Sequence, residues 1–303
     1  GRLSRRSHQG YQRFRALLAP TLKLLDAVAA QSEESARRFQ DIGVPVDRVM
    51  VTGSIKYDGL ETNRDLPKVR SIRRSLGLEG ESGPIFVAGS TMEGEEAAAL
   101  AAYQSARREH PDLRLILVPR HPERGSELAR WIESQGEPVW QRSLGQEPPP
   151  APGPDGKAPV LLIDTVGELS SIWGIADVAF VGGSLVPGRN GQNMMEPSAF
   201  GASVLFGPHT SNFREAVEGL LDRGAAQIVR NPEELSNALK ADLIHPDSAR
   251  ARGGLARSFV LAQRGATERT VTLLDRLIGH VHRGGLNRPS GLQRSSETAT
   301  SAA

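Results

Sequence analysis

The chain has 303 residues, 38% hydrophobic and 24% charged, enough to bury a sizeable core without covalent staples. It has no cysteine, which excludes disulfides, thiolate nucleophiles and zinc-thiolate sites. The 37 basic and 35 acidic residues nearly balance at +2, and with 5% aromatics this argues against a nucleic-acid partner, despite a pI near 9.1.

Residues Gly1 to Ala19 are basic and place Tyr11, Phe14, Leu17 and Leu18 at helical spacing. Ala27 to Gln31 predicts a short strand. Ser32 then offers an N-cap with Glu33 and Glu34 in the first turn, and that helix should stop near Gly43. Val49 to Thr52 predicts another strand. From Pro84 the rhythm becomes regular. Strands are expected at Ile85–Ala88, Leu113–Val118, Val160–Ile163, Val178–Val181, Ser203–Phe206 and Ala226–Val229. Helices are expected over about Gly94–Glu109, Gly125–Gln135, Glu168–Ile175, Asn212–Arg223, Pro232–Leu243 and Pro246–Leu277. Gln146 to Pro159 is rich in Pro and Gly and predicts a loop. Arg283 to Ala303 has little apolar content and reads as a disordered tail. No run approaches ~18 consecutive apolar residues, so no membrane-spanning helix is expected. The start at Gly1, with no signal peptide after it, reads as a fragment of a larger protein.

Short apolar strands alternating with helices define an α/β fold with a parallel sheet covered on both faces. Ligands in such folds sit beyond the carboxyl ends of the strands, so the residues that follow each strand are the informative ones. They are Gly89-Ser90-Thr91, Pro119-Arg120-His121-Pro122-Glu123-Arg124, Asp164 to Leu169, Gly182 through Pro197, and Gly207 to Phe213. One polar loop is unremarkable in a fold like this. Five at one edge describe a wide, polar, partly cationic cleft.

Each piece has a chemistry. Glycines 182 and 183 would let a ligand approach the backbone. A helix starting near Asn193 would aim N–H groups at an anion such as phosphate. Glu196 in its first turn could accept hydrogen bonds from two vicinal hydroxyls, as on a ribose. Gly167 and Glu168 would open a second helix, and Arg120 offers a fork of donors. Taken singly, Arg120 and His121 are ordinary surface residues, Glu168 is a helix-start charge, Met194 and Met195 are packing, and His209 is equally a cap or a contact. No phosphate loop, dinucleotide fingerprint, metal-ligand helix or nucleophile elbow is present.

In order, these stretches resemble the 3-deoxy-D-manno-octulosonic acid (Kdo) transferases. They include Arg2-Leu3-Ser4, Ala29 to Glu34, Val51 to Asp58, Gly89-Ser90-Thr91 with Glu95-Glu96, Leu117 to Arg124, Asp164 to Leu169, Ala176 to Pro187, Asn193 to Pro197, and Phe206 to His209 with Asn212-Phe213. The resemblance covers nearly the whole chain up to about residue 275. It implies a GT-B glycosyltransferase with two Rossmann-like domains. This chain would supply the C-terminal one and the tail end of the N-terminal one. The implied division is residues 1–56, a remnant of the acceptor domain; 57–282, the donor domain with its terminal helices; and 283–303, a disordered tail.

The resemblance further implies transfer of Kdo from CMP-Kdo to a lipid A precursor, with inversion, no metal and no cofactor, at the cytoplasmic face of the inner membrane. Pro119, Arg120, Val166, Gly167, Glu168, Asn193, Met194, Met195 and Glu196 would contact CMP. Lys56 would steady charge in the transition state. The family's catalytic-base glutamate, membrane anchor and acceptor surface lie in sequence that this chain lacks, so the fragment is expected to bind donor without transferring sugar. Three residues depart from the family pattern: Gln192 where histidine is usual, Met194 where proline is usual, and Val166 where methionine is common. A GT-B epimerase and an inactive nucleotide-sugar-binding module are the alternatives.

Overall fold

In a computed structural model, the described residues are 1–80, 83–145, 148–150 and 157–284. In chain order the elements are α1 (Arg5–Arg13), α2 (Arg15–Leu22), β1 (Val28–Ala30), α3 (Glu33–Asp41), β2 (Val49–Val51), α4 (Pro67–Ser75), β3 (Ile85–Thr91), α5 (Glu95–Arg107) and β4 (Arg114–Pro119). There follow α6 (Gly125–Ser134), β5 (Val139–Gln141), β6 (Val160–Leu162), α7 (Leu169–Ile172), β7 (Val178–Val181), α8 (Met195–Phe200) and β8 (Ser203–Phe206). The last are α9 (Arg214–Leu221), β9 (Ala226–Ile228), α10 (Pro232–Ile244), α11 (Pro246–Ala262) and α12 (Ala266–Gly284).

The chain forms two compact units: Gly1–Asp58 with the chain from Arg264 onward, and Gly59–Gln263. In the first, β1 and β2 pair in parallel, and the Ser32 Oγ caps α3 by accepting from the Ser35 amide at 3.2 Å. The sequence predicts one helix from Pro246 to Leu277. Instead, the chain breaks at Gly265, whose φ of +87° no side chain adopts readily. The Asp58 carboxylate accepts from the Gly265 amide at 2.7 Å and the Thr267 amide at 2.5 Å, capping α12. Arg269 Nε donates to the Thr52 carbonyl at 2.8 Å. These bonds group α12 with the N-terminal residues, where the sequence places it in the donor domain. Of the tail expected to be disordered, residues 283 and 284 are helical and the remainder lies outside the described residues.

The Thr267 hydrogen bonds hold the Asp58 carboxyl below its ordinary range. The stability they contribute is therefore present above the usual aspartate value and is lost as pH falls through the folded one. Protection of the amides in the first turn of α12 against exchange, taken relative to the intrinsic rate at each pH, should fall on acidification. Asp58→Asn should lower that protection at neutral pH and remove most of its pH response.

The second unit is a seven-stranded sheet in the order β5-β6-β4-β3-β7-β8-β9, every pair parallel. Strands β3, β4, β7 and β8 are buried along almost their whole length. That explains their unbroken apolar runs, since helices cover both faces. On one face, Phe86, Ala88, Leu115, Leu117, Phe180 and Leu205 meet the small side chains of α5 and the apolar stripes of α6 and α10. The alanines of α5 let that helix lie close on the sheet. The other face is filled by Trp173 and flanking residues, with α4, α8 and α11. Two elements carry weak sequence signals. Helix α4 is short and charged, and β5 is three residues joined to β6 by a long segment.

Candidate active site

Chain order moves outward from β3 through β4 on one side, and from β7 through β8 to β9 on the other. The switch between β3 and β7 opens a crevice at the carboxyl edge of the sheet, where ligands bind in folds of this kind. The five polar loops singled out from the sequence all lie at that edge.

The β3 end is irregular. Register shifts between Gly89 and Thr91, and Ser90 takes a left-handed φ of +56°, uncommon for a residue with a side chain. The next loop is tied to it, because the Arg120 amide donates to the Thr91 carbonyl at 2.9 Å. Pro119 is buried and Arg120 is exposed, so of the two only the arginine presents its side chain to solvent. Arg124 pairs with the buried Glu96 at 2.9 Å, bracing this loop against α5. Burial pushes the Glu96 carboxyl up from its usual value, with Arg124 opposing. His121 lies 3.2 Å from an Arg189 nitrogen through Nε2 and 3.1 Å from Glu123 through Nδ1. Arginine can only donate, so Nε2 accepts and Nδ1 carries the proton.

The loop after β6 is anchored by Asp164, which accepts from Gln141 Nε2 at 2.7 Å, the Ser143 amide at 2.9 Å and Ser143 Oγ at 2.6 Å. Beyond it, Val166 is 87% exposed, unusual for an apolar side chain, and Gly167 turns the chain at φ +96°. Glu168 accepts from Arg142 Nη2 at 2.8 Å and from Thr165 Oγ1. Burial raises its pKa, but the Arg142 and Thr165 bonds outweigh that and leave the carboxyl below its ordinary range. Glu168 is thus held by its own chain, more than a helix-start charge. No atom crowds the position a Cβ would take on Gly167, so Gly167→Ala is resisted by backbone conformation alone. Its expected penalty is about 1–2 kcal/mol, read as a lower urea midpoint with an unchanged slope.

The long loop after β7 departs from expectation at Gly182. A Cβ there would lie 2.6 Å from the Ser90 carbonyl oxygen and 2.6 Å from Thr91 Cα. This glycine therefore serves the packing of two strand ends, not the approach of a ligand. Gly183 has φ +64°, and its carbonyl accepts from the Gly191 amide at 2.7 Å, closing the loop on itself. Ser184 is buried and receives the Gly207 amide on its Oγ at 2.8 Å. Glu95, in the sequence one acidic residue of the Glu95-Glu96 pair, is the hub here. It is fully buried and accepts from the amides of Met92, Gly183, Ser184 and Leu185 at 2.9, 2.6, 2.9 and 2.7 Å.

Helix α8 begins at Met195, two residues later than expected, and is only six residues long. Asn193 Oδ1 takes the Met195 amide at 3.2 Å, and Asn193 Nδ2 donates to Glu196 Oε1 at 2.8 Å. Glu196 is half-buried, and burial raises its pKa against that one hydrogen bond. Its second oxygen is the acceptor a ligand hydroxyl could use. Met194 and Met195 are buried in the core, so their side chains are packing and only their backbone could meet a ligand. The structure thus gathers Pro119, Arg120, Val166 to Glu168 and Asn193 to Glu196 at one edge of one sheet. Lys56 is exposed in a 3-10 turn of the other compact unit. Among the described residues, no group of three or more His, Asp or Glu side chains is placed to hold a metal.

Comparison with known proteins agrees with this architecture. The sheet and its edge loops are similar to the C-terminal CMP-Kdo binding domain of WaaA from Acinetobacter baumannii, with 26% identity and a TM-score of 0.57, over 64% of this chain and 96% of that one. The fold is the Rossmann-like domain of the GT-B glycosyltransferases. A family model described as 3-deoxy-D-manno-octulosonic-acid transferase (kdotransferase) matches residues 1–59. The 3-deoxy-D-manno-octulosonic acid transferase of Haemophilus influenzae is 35% identical over 275 residues, 90% of this chain and 62% of that protein. The one from Bordetella pertussis is 36% identical over 86% of this chain and 59% of that protein. Over most of its length the chain is similar to the Kdo transferases, and it spans about 60% of the length of the curated relatives it matches.

Proposed function

We propose that the seven-stranded sheet binds CMP-Kdo, and that the protein of which this chain forms part transfers Kdo to a lipid A precursor with inversion. The observation that carries this reading is the placement of the Val166-Gly167-Glu168 turn and the Asn193 to Glu196 turn at the carboxyl edge of one sheet. In it, the free oxygen of Glu196 accepts from the ribose hydroxyls. The backbone around Val166 and Gly167 meets the base, with Glu168 and Arg142 holding the turn. The Arg120 fork faces the phosphate. Lys56 offsets the negative charge that develops as CMP departs, so the reading needs neither a metal nor a cofactor. It places the work at the cytoplasmic face of the inner membrane. No helix among the described residues is long and apolar enough to cross a membrane.

Calorimetric titration of the chain with CMP, UMP and AMP tests the donor assignment. Binding that prefers CMP is expected. Equal affinity for all three nucleotides would refute a site built to read cytosine.

A further inference from the structure

We propose that Glu95 is the positioning residue of the donor loop, and that its carboxylate closes to ligand anions a nest of amides that the loop sequence advertises as a phosphate site. The role in donor binding rests on the function proposed above; the closure of the nest does not.

Three consecutive amides, those of Gly183, Ser184 and Leu185, converge with Gly183 at a left-handed φ of +64°. Successive backbone amides curved in this way bind anions, and in a nucleotide-binding fold the expected anion is phosphate. Here the anion is already built in. Glu95 Oε2 takes Met92 and Gly183, and Oε1 takes Ser184 and Leu185, so each oxygen accepts two backbone donors. The carboxylate is fully buried. A phosphate in the same nest would have to compete for those amides beside a like charge of low solvent access, which is strongly unfavourable. The donor's phosphate therefore binds elsewhere on the edge.

Occupation of the nest also sets geometry. Met92 follows β3 while Gly183 to Leu185 follow β7, so one side chain locks together the two walls of the switch-point crevice. From Gly183 the order passes on: its carbonyl holds the Gly191 amide, and a Cβ on Gly183 would meet Gln192 Cγ at 3.1 Å. Gln192 directly precedes Asn193, whose amide orients Glu196. Glu95 touches no part of the space a ligand would fill, yet it determines where the Glu196 carboxylate stands.

The test uses the full chain and the variants Glu95→Ala and Glu95→Gln, well below their unfolding temperatures. Amide exchange at Gly183, Ser184 and Leu185 is read first. Glu95→Ala should accelerate it by about ten-fold or more while leaving the amides of β4 unchanged. CMP affinity should fall by a similar factor of about ten. Excess formate, a carboxylate small enough for the vacated nest, should restore both in Glu95→Ala and alter neither in the native chain. A merely structural residue would not show that rescue. Should Glu95→Ala fail to fold, Glu95→Gln, which keeps the volume but aims an NH2 at donated amides, carries the same two readouts without formate. Exchange and CMP affinity both within about two-fold of native would overturn the proposal. So would a change in the exchange of these three amides when inorganic phosphate is added to the native chain. If the native chain binds no CMP, the proposed function fails, and exchange alone then decides whether the nest is closed.

Discussion

Trp173→Ala should lower the unfolding free energy by about 3–5 kcal/mol, the largest single loss expected in this chain. The side chain is 1% exposed and lies on the face of the sheet opposite the α5, α6 and α10 layer. Its six-membered ring fills the space that Gly89 leaves empty in β3. A Cβ on Gly89 would meet Trp173 Cη2 and Cζ2 at 2.5 Å and Leu169 Cδ1 at 2.9 Å. Truncation removes a large apolar surface and leaves a cavity whose walls are a central strand and a helix, neither free to collapse. Urea unfolding measures the loss. A double-mutant cycle tests its cause. Gly89→Ala should be severe in the native chain, where the new methyl group collides with the ring. It should be mild, or even favourable, in the Trp173→Ala background, where the methyl group enters the void. Additive effects of the two changes would show that the ring does not occupy that space. Because α7 starts directly after the Val166 to Glu168 turn, nucleotide affinity should fall with stability in Trp173→Ala.

Glu196→Ala should weaken CMP binding by about 10–100-fold while changing stability little, a pattern opposite to that of Trp173. A half-buried carboxylate with one oxygen held by Asn193 and one uncommitted is a preorganised acceptor for a pair of hydroxyls. Removing it leaves those hydroxyls without a partner after they have been taken out of water. The pH dependence is a second signature. Burial raises the Glu196 pKa. The ionised form is the one with full acceptor capacity, so affinity is retained at high pH and lost as pH falls through that raised value. The loss begins at a higher pH than for an ordinary glutamate, which titrates at about 4.3. Stability of the ligand-free chain runs the other way. Its contribution from this group is fully present below the unfolded pKa and is lost as pH rises through the folded one. Titrations with CMP across the acidic range, on the native chain and on Glu196→Gln, separate these effects. The glutamine variant should bind weakly at every pH with no inflection. An inflection that survives in Glu196→Gln would belong to another group.

Much of the fold is legible in the sequence because the strands of a sheet covered on both faces are continuous apolar runs. Val178–Val181 and Ser203–Phe206 are predicted to the residue, and the other strands except β5 to within a few. The sites of the polar loops follow once the strands are placed, since all parallel strands end at the same edge. What local pattern misses is weakly apolar or short. Helix α4 is dominated by charge, β5 is three residues, and the break at Gly265 is one glycine in a long helical stretch. At the site, Arg120, Asn193 and Glu196 are legible as polar residues in the loops that follow the strands, and Glu196 also as a charge between Met195 and Pro197. Glu95 is not, because one acidic residue at the start of a helix looks like any other.

From the residues alone follow a parallel α/β sheet, the edge at which its polar loops collect, and the resemblance to the Kdo transferases. These rest on hydrophobic periodicity and on motifs whose residues are neighbours along the chain. Which carboxylates are available follows from the folded chain. Glu95 is spent on amides 88 to 90 positions away and Glu168 on an arginine 26 positions away, while Glu196 keeps one oxygen uncommitted. The folded chain also determines that Gly182 serves strand packing and that α12 joins the N-terminal residues through Asp58. The physical reason is common to all of these. Apolar burial follows a local period, whereas a buried charge or a crowded glycine is explained by whichever group the chain brings back from far along its length.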